Sequence, residues 1–288
     1  MTVVSILPIT TIDQCKQCEW LQQSLWGADP LEVVPAEVLV VAQRHGGLVL
    51  GAFDPSGRLV GFLFGFLGRV SPDNLAVADK NQWQHYSHVL GVVPEWRRRG
   101  VGYRLKLAQR EWVIRQGIEL VTWTCDPLEA TNAILNIGRL GAVSRCYMRD
   151  VYGAMPDRLN AGLPSDRFEV TWHLTSARVR DRIQHGWQSP ALRSVVNAGA
   201  TIANPARLRP DSVLEPGAVH MSNSETVLVE IPLNIQAVKE ADRDLASQWR
   251  MNVREAIESL IRDGYSVCDV VEAELDSLVR VYYLMKSV

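Results

Sequence analysis

The sequence predicts an α/β fold built on a mixed sheet, and two observations support that prediction. Over residues 1–152, patterns typical of helices and strands follow one another in the order α-β-β-β-α-β-α-β. Residues that end helices and strands stand where these patterns stop, namely Pro94, Gly117 and Gly141. With 288 residues, 47% of them hydrophobic, the chain is long enough for one large domain or two smaller ones.

Each element of this first domain, 1–152, is predicted from its own spacing of apolar residues. The helix that begins near Gly100 has the clearest pattern, because Val101, Leu105 and Trp112 fall on one face. A tight turn of Asp, Pro, Ser and Gly separates two strand-like runs before it. In chain order we predict a helix at 10–26, two strands within 46–68, a strand at 86–93, a helix at 100–117, a strand at 118–125, a helix at 129–140 and a strand at 144–152.

Residues 153–288 are predicted to form a C-terminal extension of a different character. Between 154 and 225 the chain is rich in Pro, Gly, Asn and Arg, which predicts long loops around a single strand, RFEVTWHL. From residue 226 onward, a strand, a helix at 240–262 and two further strands follow. This order is similar to that of residues 86–152, which suggests a degenerate second copy of that part of the chain.

Composition and charge argue against several classes of protein. The net charge of −2 and a pI near 6.3 give no reason to expect a nucleic-acid binder. No apolar run approaches the ~20 residues that a membrane helix needs, and the N-terminus lacks the pattern of a signal peptide. Five cysteines, an odd number, are expected to be reduced thiols of a cytoplasmic protein. Cys15 and Cys18 form a C-x-x-C pair within an amphipathic helical pattern, where we expect a structural role.

A cluster of cations stands at the start of a predicted helix. Arg97, Arg98 and Arg99 precede Gly100 and Gly102 in the pattern R-x-x-G-x-G, which is neither a P-loop nor the dinucleotide-binding G-x-G-x-x-G. The first N–H groups of a helix lack internal partners and carry partial positive charge, and glycine lets a backbone approach an anion closely. With forked bonds from the arginines added, the cluster suits a pyrophosphate.

The stretch HVLGVVPEWRRRGVGYRLKLAQREW, residues 88–112, resembles the acyl-CoA-binding motif of the GNAT superfamily of N-acyltransferases. The resemblance extends over about residues 1–152. It implies a mixed sheet of the GNAT type, in which acyl-CoA binds between two splayed parallel strands, here 88–93 and Leu120–Cys125. The turn Arg97–Gly102 would hold the pyrophosphate, and the co-substrate would be acetyl-CoA or another acyl-CoA.

A second stretch, WTCDPLEATNAILNIGRLGA, is similar to a subgroup of large predicted GNAT acyltransferases that carry a C-terminal extension. In the family, an asparagine of this helix often bonds the pantetheine arm; Asn132 and Asn136 fall on one side of the helix, and Asn132 is the preferred candidate here. No metal is expected. The residues that the resemblance assigns to the coenzyme are Val92, Val93, Arg97, Arg98, Arg99, Gly100, Val101, Gly102 and Asn132.

The reaction that the resemblance implies is direct transfer of an acyl group from the thioester to an amine. It needs a donor for the oxyanion, which we expect among the backbone N–H groups near Val92 and Val93. It also needs a base within hydrogen-bond reach of the amine. His88 is the first candidate, because the ordinary pKa of histidine, roughly 6.5, suits proton transfer, and His85, just before the predicted strand, is the alternative.

The chain departs from the family at the proton donor for the leaving thiolate. Many members carry a tyrosine four residues before the glycine that ends this helix, and here that position is Ile137. Tyr147 or Tyr152 would have to replace it, or the thiolate leaves unaided. The gap keeps a second hypothesis open, a non-catalytic acyl-CoA-binding or regulatory module.

The acceptor is expected to be a small-molecule amine, because the nearly neutral chain offers no cationic face for tRNA or rRNA. Arg139, Arg145 and Arg149 could hold a carboxylate of the donor or acceptor, or they are ordinary surface residues. The extension at 153–288 could close over the acceptor or form the interface of a homodimer.

Overall fold

The computed structural model of the chain describes residues 4–27, 32–70, 82–211 and 213–287. The chain divides into two compact units. The first consists of Met1–Trp123 with Pro156–Ala161, and the second of Thr124–Met155 with Gly162–Val288. The predicted boundary at residue 152 therefore falls within the second unit.

The first unit combines a sheet with helices packed against it. Its elements are β1 (Ser5–Pro8), α1 (Ile12–Trp26), α2 (Ala36–Arg44), β2 (Leu48–Phe53), β3 (Leu59–Arg69), β4 (Trp83–Val92), a 3₁₀ turn (Pro94–Trp96), α3 (Val101–Arg115) and β5 (Leu120–Cys125), whose last two residues belong to the second unit. The strands lie in the order β1-β2-β3-β4-β5. β1 to β4 are antiparallel neighbours, whereas β4 and β5 are parallel. The predicted mixed sheet is thus confirmed.

Local sequence explains where α1 begins and ends. The Thr11 hydroxyl accepts the Gln14 N–H while the Gln14 side chain accepts the Thr11 N–H, which forms a capping box. Gly27 ends the helix in the left-handed region at φ 63°. Cys15 and Cys18 are free, buried thiols on this helix, and burial raises the pKa of Cys18 to about 12. Both cysteines pack in the core, as expected for a structural role.

The antiparallel pair β3–β4 contains a bulge that changes the course of β4. Phe64 pairs with Val89 and Gly65 pairs with Ser87, so His88 is the extra residue of β4. A bulge bends its strand and increases the local twist. The sequence alone predicts a regular strand here. A bulge is defined by the pairing with the neighbouring strand, and one unpaired residue does not change the composition of the segment.

Gly65 packs so closely against β4 that a side chain has no room there. A Cβ atom at this position would lie 2.6 Å from the Tyr86 carbonyl oxygen. We expect Gly65→Ala to lower the free energy of unfolding by about 1–3 kcal/mol, the usual cost of overpacking, as measured by urea denaturation. Gly68→Ala is the matched control on the same strand, because a Cβ atom there meets nothing within 4 Å. Equal losses in the two variants would contradict close packing at Gly65.

The second unit carries its own sheet. After β5 its elements are α4 (Ala130–Ala133), a π-helical segment (Ile134–Arg139), β6 (Val143–Met148), β7 (Arg167–His173), α5 (Ala177–His185), α6 (Leu192–Asn197), β8 (Thr201–Ile202), β9 (Arg207–Leu208), β10 (Leu214–Glu215), β11 (Thr226–Ile231), α7 (Ile235–Ala241), α8 (Arg243–Arg262), β12 (Tyr265–Leu275) and β13 (Leu278–Ser287). The strands are hydrogen-bonded in the order β7-β6-β12-β13-β11-β8, and β9 and β10 form a separate ribbon.

A helix followed by an antiparallel hairpin occurs twice in this unit. The π-helical segment leads into β6–β7, and α8 leads into β12–β13. β6 and β12 are neighbours, so the two hairpins meet along their first strands. The similarity noticed in the sequence therefore relates α8–β12–β13 to the segment 130–173 rather than to 86–152.

Two sequence expectations for this unit are corrected. The region 154–225, expected as long loops around one strand, also contains α5 and α6. The single helix expected at 240–262 is interrupted at Asp242, whose extended backbone (φ −154°) separates α7 from α8. The Asp242 carboxylate accepts the Leu245 N–H at 2.9 Å, so this residue caps the second helix.

Candidate functional site

The two parallel strands of the first unit pair only near their start. Their ladder consists of His85 with Val121 and Tyr86 with Thr122. Beyond these pairs β4 runs on to Val92 with no further register partner in β5 among the described residues. The strands splay apart, as predicted, and one edge of β4 is left open.

Backbone groups of β4 face this opening. The Val93 N–H donates to the Val60 carbonyl at 3.0 Å, so Val93 faces β3. Because the direction of N–H and C=O groups alternates along an antiparallel pair, Leu90 and Val92 direct theirs to the open edge. Of the two positions at which the oxyanion donor is expected, Val93 has its N–H bonded to Val60, whereas the Val92 N–H is directed to the open edge.

The start of α3 offers uncapped N–H groups. Gly100 precedes the helix at φ 79°, in the left-handed region that favours glycine, and no side chain caps α3. Arg98 is also left-handed, at φ 59°, which is uncommon for a residue with a side chain. The N–H groups of Val101 and Gly102 have no hydrogen-bond acceptor among the described residues. Such a helix start, next to left-handed residues, is suited to bind an anion.

Three exposed arginines stand beside this helix start. Arg97 donates from Nε to the Val92 carbonyl at 3.0 Å, and the Arg99 guanidinium lies 5.4 Å from the centre of the Trp96 ring. The peptide N–H groups of Trp96 and Arg97 bond to carbonyls within the turn. Of the residues predicted to hold a pyrophosphate, Arg97 therefore offers its side chain and not its backbone.

A cavity of about 470 Å³ lies in the first unit, next to the bulge of β4. Apolar side chains form most of its wall, with one carboxylate and one imidazole; the lining residues are Glu32, Val33, Val34, Pro35, Val38, Ala42, Phe64, Phe66 and His88. The His88 ring is 5.8 Å from the Phe64 ring, edge to face. Desolvation by these surroundings lowers the pKa of His88 below its ordinary value, so the imidazole is neutral near pH 7 and can accept a proton.

A buried polar network lies under β4 and was not predicted from the sequence. Lys106 of α3 is 1% exposed, and its Nζ donates to Ser87 Oγ at 3.0 Å and to Gln109 Oε1 at 2.9 Å. The same Nζ lies 3.7 Å from the centre of the Trp123 ring. Gln109 in turn bonds to Nδ1 of the buried His85 at 3.1 Å. Burial and the neighbouring Lys106 charge lower the pKa of His85 to about 3.

One sequence signal could have identified this network. Lys106 and Gln109 are three residues apart and fall within the buried stripe of α3, beside Leu105 and Val113. Two polar residues on the buried face of an amphipathic helix need partners, because unpaired polar groups are costly in a core.

Two site residues expected from the sequence lie in the second unit. Asn132 is exposed on the short helix α4. Tyr147 donates its hydroxyl to Asp166 Oδ2 at 2.6 Å, and Asp166 also accepts two bonds from Arg254, both at 2.8 Å. Burial, together with the Asp166 carboxylate, raises the pKa of Tyr147 well above its ordinary value. Tyr147 is therefore a poor general acid, which argues against the role expected for it.

The other candidate residues of this unit are Ile137, Tyr152 and Arg149, and each is described by its burial or its bonding partner. Ile137 is buried, at 1% exposure, so an apolar side chain fills the position where a tyrosine acid was sought. The Tyr152 hydroxyl is 2.9 Å from Thr124 Oγ1, and it stays the remaining candidate for a proton donor. Arg149, considered for binding a carboxylate, forms a forked ion pair with Glu258.

Two further findings concern metal binding and the membrane. Within the described ranges, no three His, Cys, Asp or Glu side chains come together in a way that could hold a metal ion. No helix in the part of the chain that the structure describes is long and apolar enough to cross a bilayer.

Comparison with known proteins gave matches among solved structures alone, since neither a protein-family model nor a curated protein sequence matches the chain. NAA60 of Arabidopsis thaliana, solved with acetyl-CoA, is 14% identical, with 59% of this chain and 99% of that chain covered at a TM-score of 0.47. The ribosomal-protein-S18-alanine N-acetyltransferase of Escherichia coli is 13% identical; the match covers 61% of this chain and 96% of that chain, with a TM-score of 0.44. The aminoglycoside N-acetyltransferase AAC(6')-Iy, in complex with CoA, is 17% identical; the match covers 46% of this chain and 82% of that chain, with a TM-score of 0.36. These values describe a distant likeness.

Proposed function

We propose that the chain is an acyl-CoA-dependent N-acyltransferase that passes an acyl group, most simply acetyl, directly to the amine of a small molecule. The observation that carries the proposal is the open edge of β4 followed at once by an uncapped, arginine-flanked helix start. The first feature suits the amides of a pantetheine arm, and the second suits a pyrophosphate. Coenzyme A joins these two chemical groups in one molecule.

The backbone supplies most of the groups that would hold the co-substrate. Leu90 offers its N–H and C=O groups and Val92 offers its N–H group to peptide-like amides, as a neighbouring strand would, while the Val92 carbonyl accepts the Arg97 side chain. Val101 and Gly102 offer N–H groups at the positive end of α3, where a phosphate is favoured. Arg97, Arg98 and Arg99 add charge, and their forks match phosphate oxygens.

The transfer itself needs one base and one oxyanion donor. A neutral amine attacks the thioester carbon, the C–N bond forms, and negative charge develops on the carbonyl oxygen, where a backbone N–H of the open β4 edge stabilises it. The C–S bond then breaks and releases CoA thiolate. The neutral His88 imidazole takes a proton either from the ammonium form before the attack, which leaves the neutral amine, or from the amine nitrogen as the intermediate collapses. The thiolate is protonated by solvent.

The test is release of free thiol from acetyl-CoA in the presence of a panel of amines, together with calorimetric binding of CoA. We expect His88→Gln to lower kcat by about 100-fold, the usual contribution of a general base, with CoA affinity unchanged. His45→Gln is the matched control, because His45 is exposed and does not line the cavity. Full turnover by His88→Gln would assign the base elsewhere, and a folded chain that binds no CoA would refute the proposed function.

A second candidate function, an acyl-CoA-binding module without turnover, is favoured by two observations. Ile137 is buried at the position of the family's acid, and the Tyr147 proton is bonded to Asp166. This candidate predicts CoA binding with no thiol release for any amine in the panel. The two functions are therefore separated by the same measurement.

A further inference from the structure

We propose that the acyl acceptor is a primary amine on an apolar, otherwise uncharged body, and that it binds in the cavity beside His88. The proposal rests on the proposed function, since it names the acceptor class of that reaction. It is carried by the side chains that line the cavity and by the position of the candidate base among them.

The walls of the cavity are suited to a hydrophobic ligand. Seven of the nine lining side chains are aliphatic, proline or phenylalanine. Two of them are exposed to solvent although they are apolar, Val38 at 47% and Phe66 at 39%. An apolar ligand body of small-molecule size would cover these side chains, and about 470 Å³ is within the usual range for such ligands.

The charge of the cavity favours a cation over an anion. Among the described residues that line the cavity, Glu32 carries a formal negative charge and none is a lysine or arginine. No ion pair joins Glu32 to any residue in the described ranges. An ammonium group can therefore be attracted by the Glu32 carboxylate and lose its proton to His88.

Two common classes of amine are disfavoured by the same lining. A carboxylated amine, such as an amino acid, would place its carboxylate against valine and phenylalanine side chains, where an unpaired charge is costly. A polyamine would place a second ammonium on the same apolar walls. Arg149, the cation considered for a carboxylate, is bonded to Glu258 in the second unit.

The first experiment compares four acceptors at equal acetyl-CoA concentration: phenethylamine, L-phenylalanine, spermidine and a tetrapeptide with a free N-terminus. We expect kcat/KM for phenethylamine to exceed that for each of the others by about 10-fold or more, the effect of one unpaired buried charge. Calorimetry of the same amines with CoA-saturated protein gives the binding preference without turnover. A preference for L-phenylalanine, spermidine or the peptide in both measurements would overturn the assignment.

The second experiment changes the charge of the cavity wall. Val38→Lys adds a cation to the lining at an exposed position of α2, and Val41→Lys adds the same cation to the same helix at 56% exposure but outside the lining. Val38→Lys should lose phenethylamine binding by about 10-fold and gain binding of L-phenylalanine, because the added cation offsets the Glu32 charge, repels an ammonium group and can pair with a carboxylate. Val41→Lys should behave as the unaltered chain.

The outcomes separate this proposal from the proposed function. If CoA binds and thiol is released but the amines are not distinguished, or if both lysine variants behave alike, the acceptor class is wrong and the acyltransferase function stands. If CoA does not bind to the folded chain, the proposed function itself is wrong. Glu32→Gln, with the exposed Glu37→Gln as its control, gives an independent check, because the loss of one carboxylate should raise the KM for phenethylamine and leave CoA affinity unchanged.

Discussion

A protein that carries Arg97→Gln, Arg98→Gln and Arg99→Gln together is expected to bind acetyl-CoA roughly 100-fold more weakly than the natural chain. Hydrogen bonds from a charged donor contribute about 1.5–3 kcal/mol each, and tenfold in affinity corresponds to about 1.4 kcal/mol. The three guanidiniums are exposed, so screening by salt keeps the combined effect below the sum of three such bonds. Isothermal calorimetry at low and at high salt measures both the loss of acetyl-CoA affinity and the extent to which salt screens the arginine charges.

The control for this variant is Arg115→Gln, which removes an exposed arginine from the other end of α3. It should leave acetyl-CoA affinity unchanged. The natural chain should lose affinity as salt rises, and the triple variant should lose less, because fewer charges remain to be screened. An unchanged affinity in the folded triple variant would show that the phosphates are bound elsewhere.

Acid should destabilise the first unit through His85, and this is the second large effect that we expect. The pKa of His85 is lowered to about 3 in the folded chain, from an ordinary value of 6.5, because the ring is buried and Lys106 is close. The unfolded chain therefore binds a proton below pH 6.5 that the folded chain does not bind until about pH 3. Stability falls as pH falls through this window, by up to about 1.4 kcal/mol per pH unit for one proton.

The variant His85→Gln tests this linkage. Glutamine has no proton to gain in this range and keeps an amide that can bond to Gln109. The slope of the free energy of unfolding against pH, measured by urea denaturation below pH 6.5, should become shallower by nearly the contribution of one proton. His185→Gln, at an exposed imidazole that contacts Asp181, should not produce this flattening. Identical slopes in natural and His85→Gln chains would mean that His85 gains its proton in the folded chain over the same pH range as in the unfolded chain.

Much of the first unit could be predicted from the sequence because its signals are local. The spacing of Val101, Leu105 and their neighbours located α3 to within a residue or two. Gly100 adopts the left-handed backbone conformation that the motif requires. Capping, helix spacing and turn residues all act within a few positions of the chain, and a single sequence contains them in full.

What could not be predicted depends on residues far apart in the chain. The bond between Tyr147 and Asp166 spans 19 residues, so the fate of the tyrosine proton cannot be inferred from the strand that carries it. The sequence leaves Val92 and Val93 open as the oxyanion donor, and only the pairing with β3 shows that the Val93 N–H is bonded to the Val60 carbonyl. The bulge at His88 arises from pairing with β3, and it places this imidazole next to Phe64 in the cavity wall.

The burial of the five thiols decides how the protein can be labelled. Cys15, Cys18 and Cys125 are buried, whereas Cys146 and Cys268 are partly exposed, and both of the latter belong to the second unit. A maleimide reacts with accessible thiolates. A fluorophore attached in this way would therefore report on the second unit.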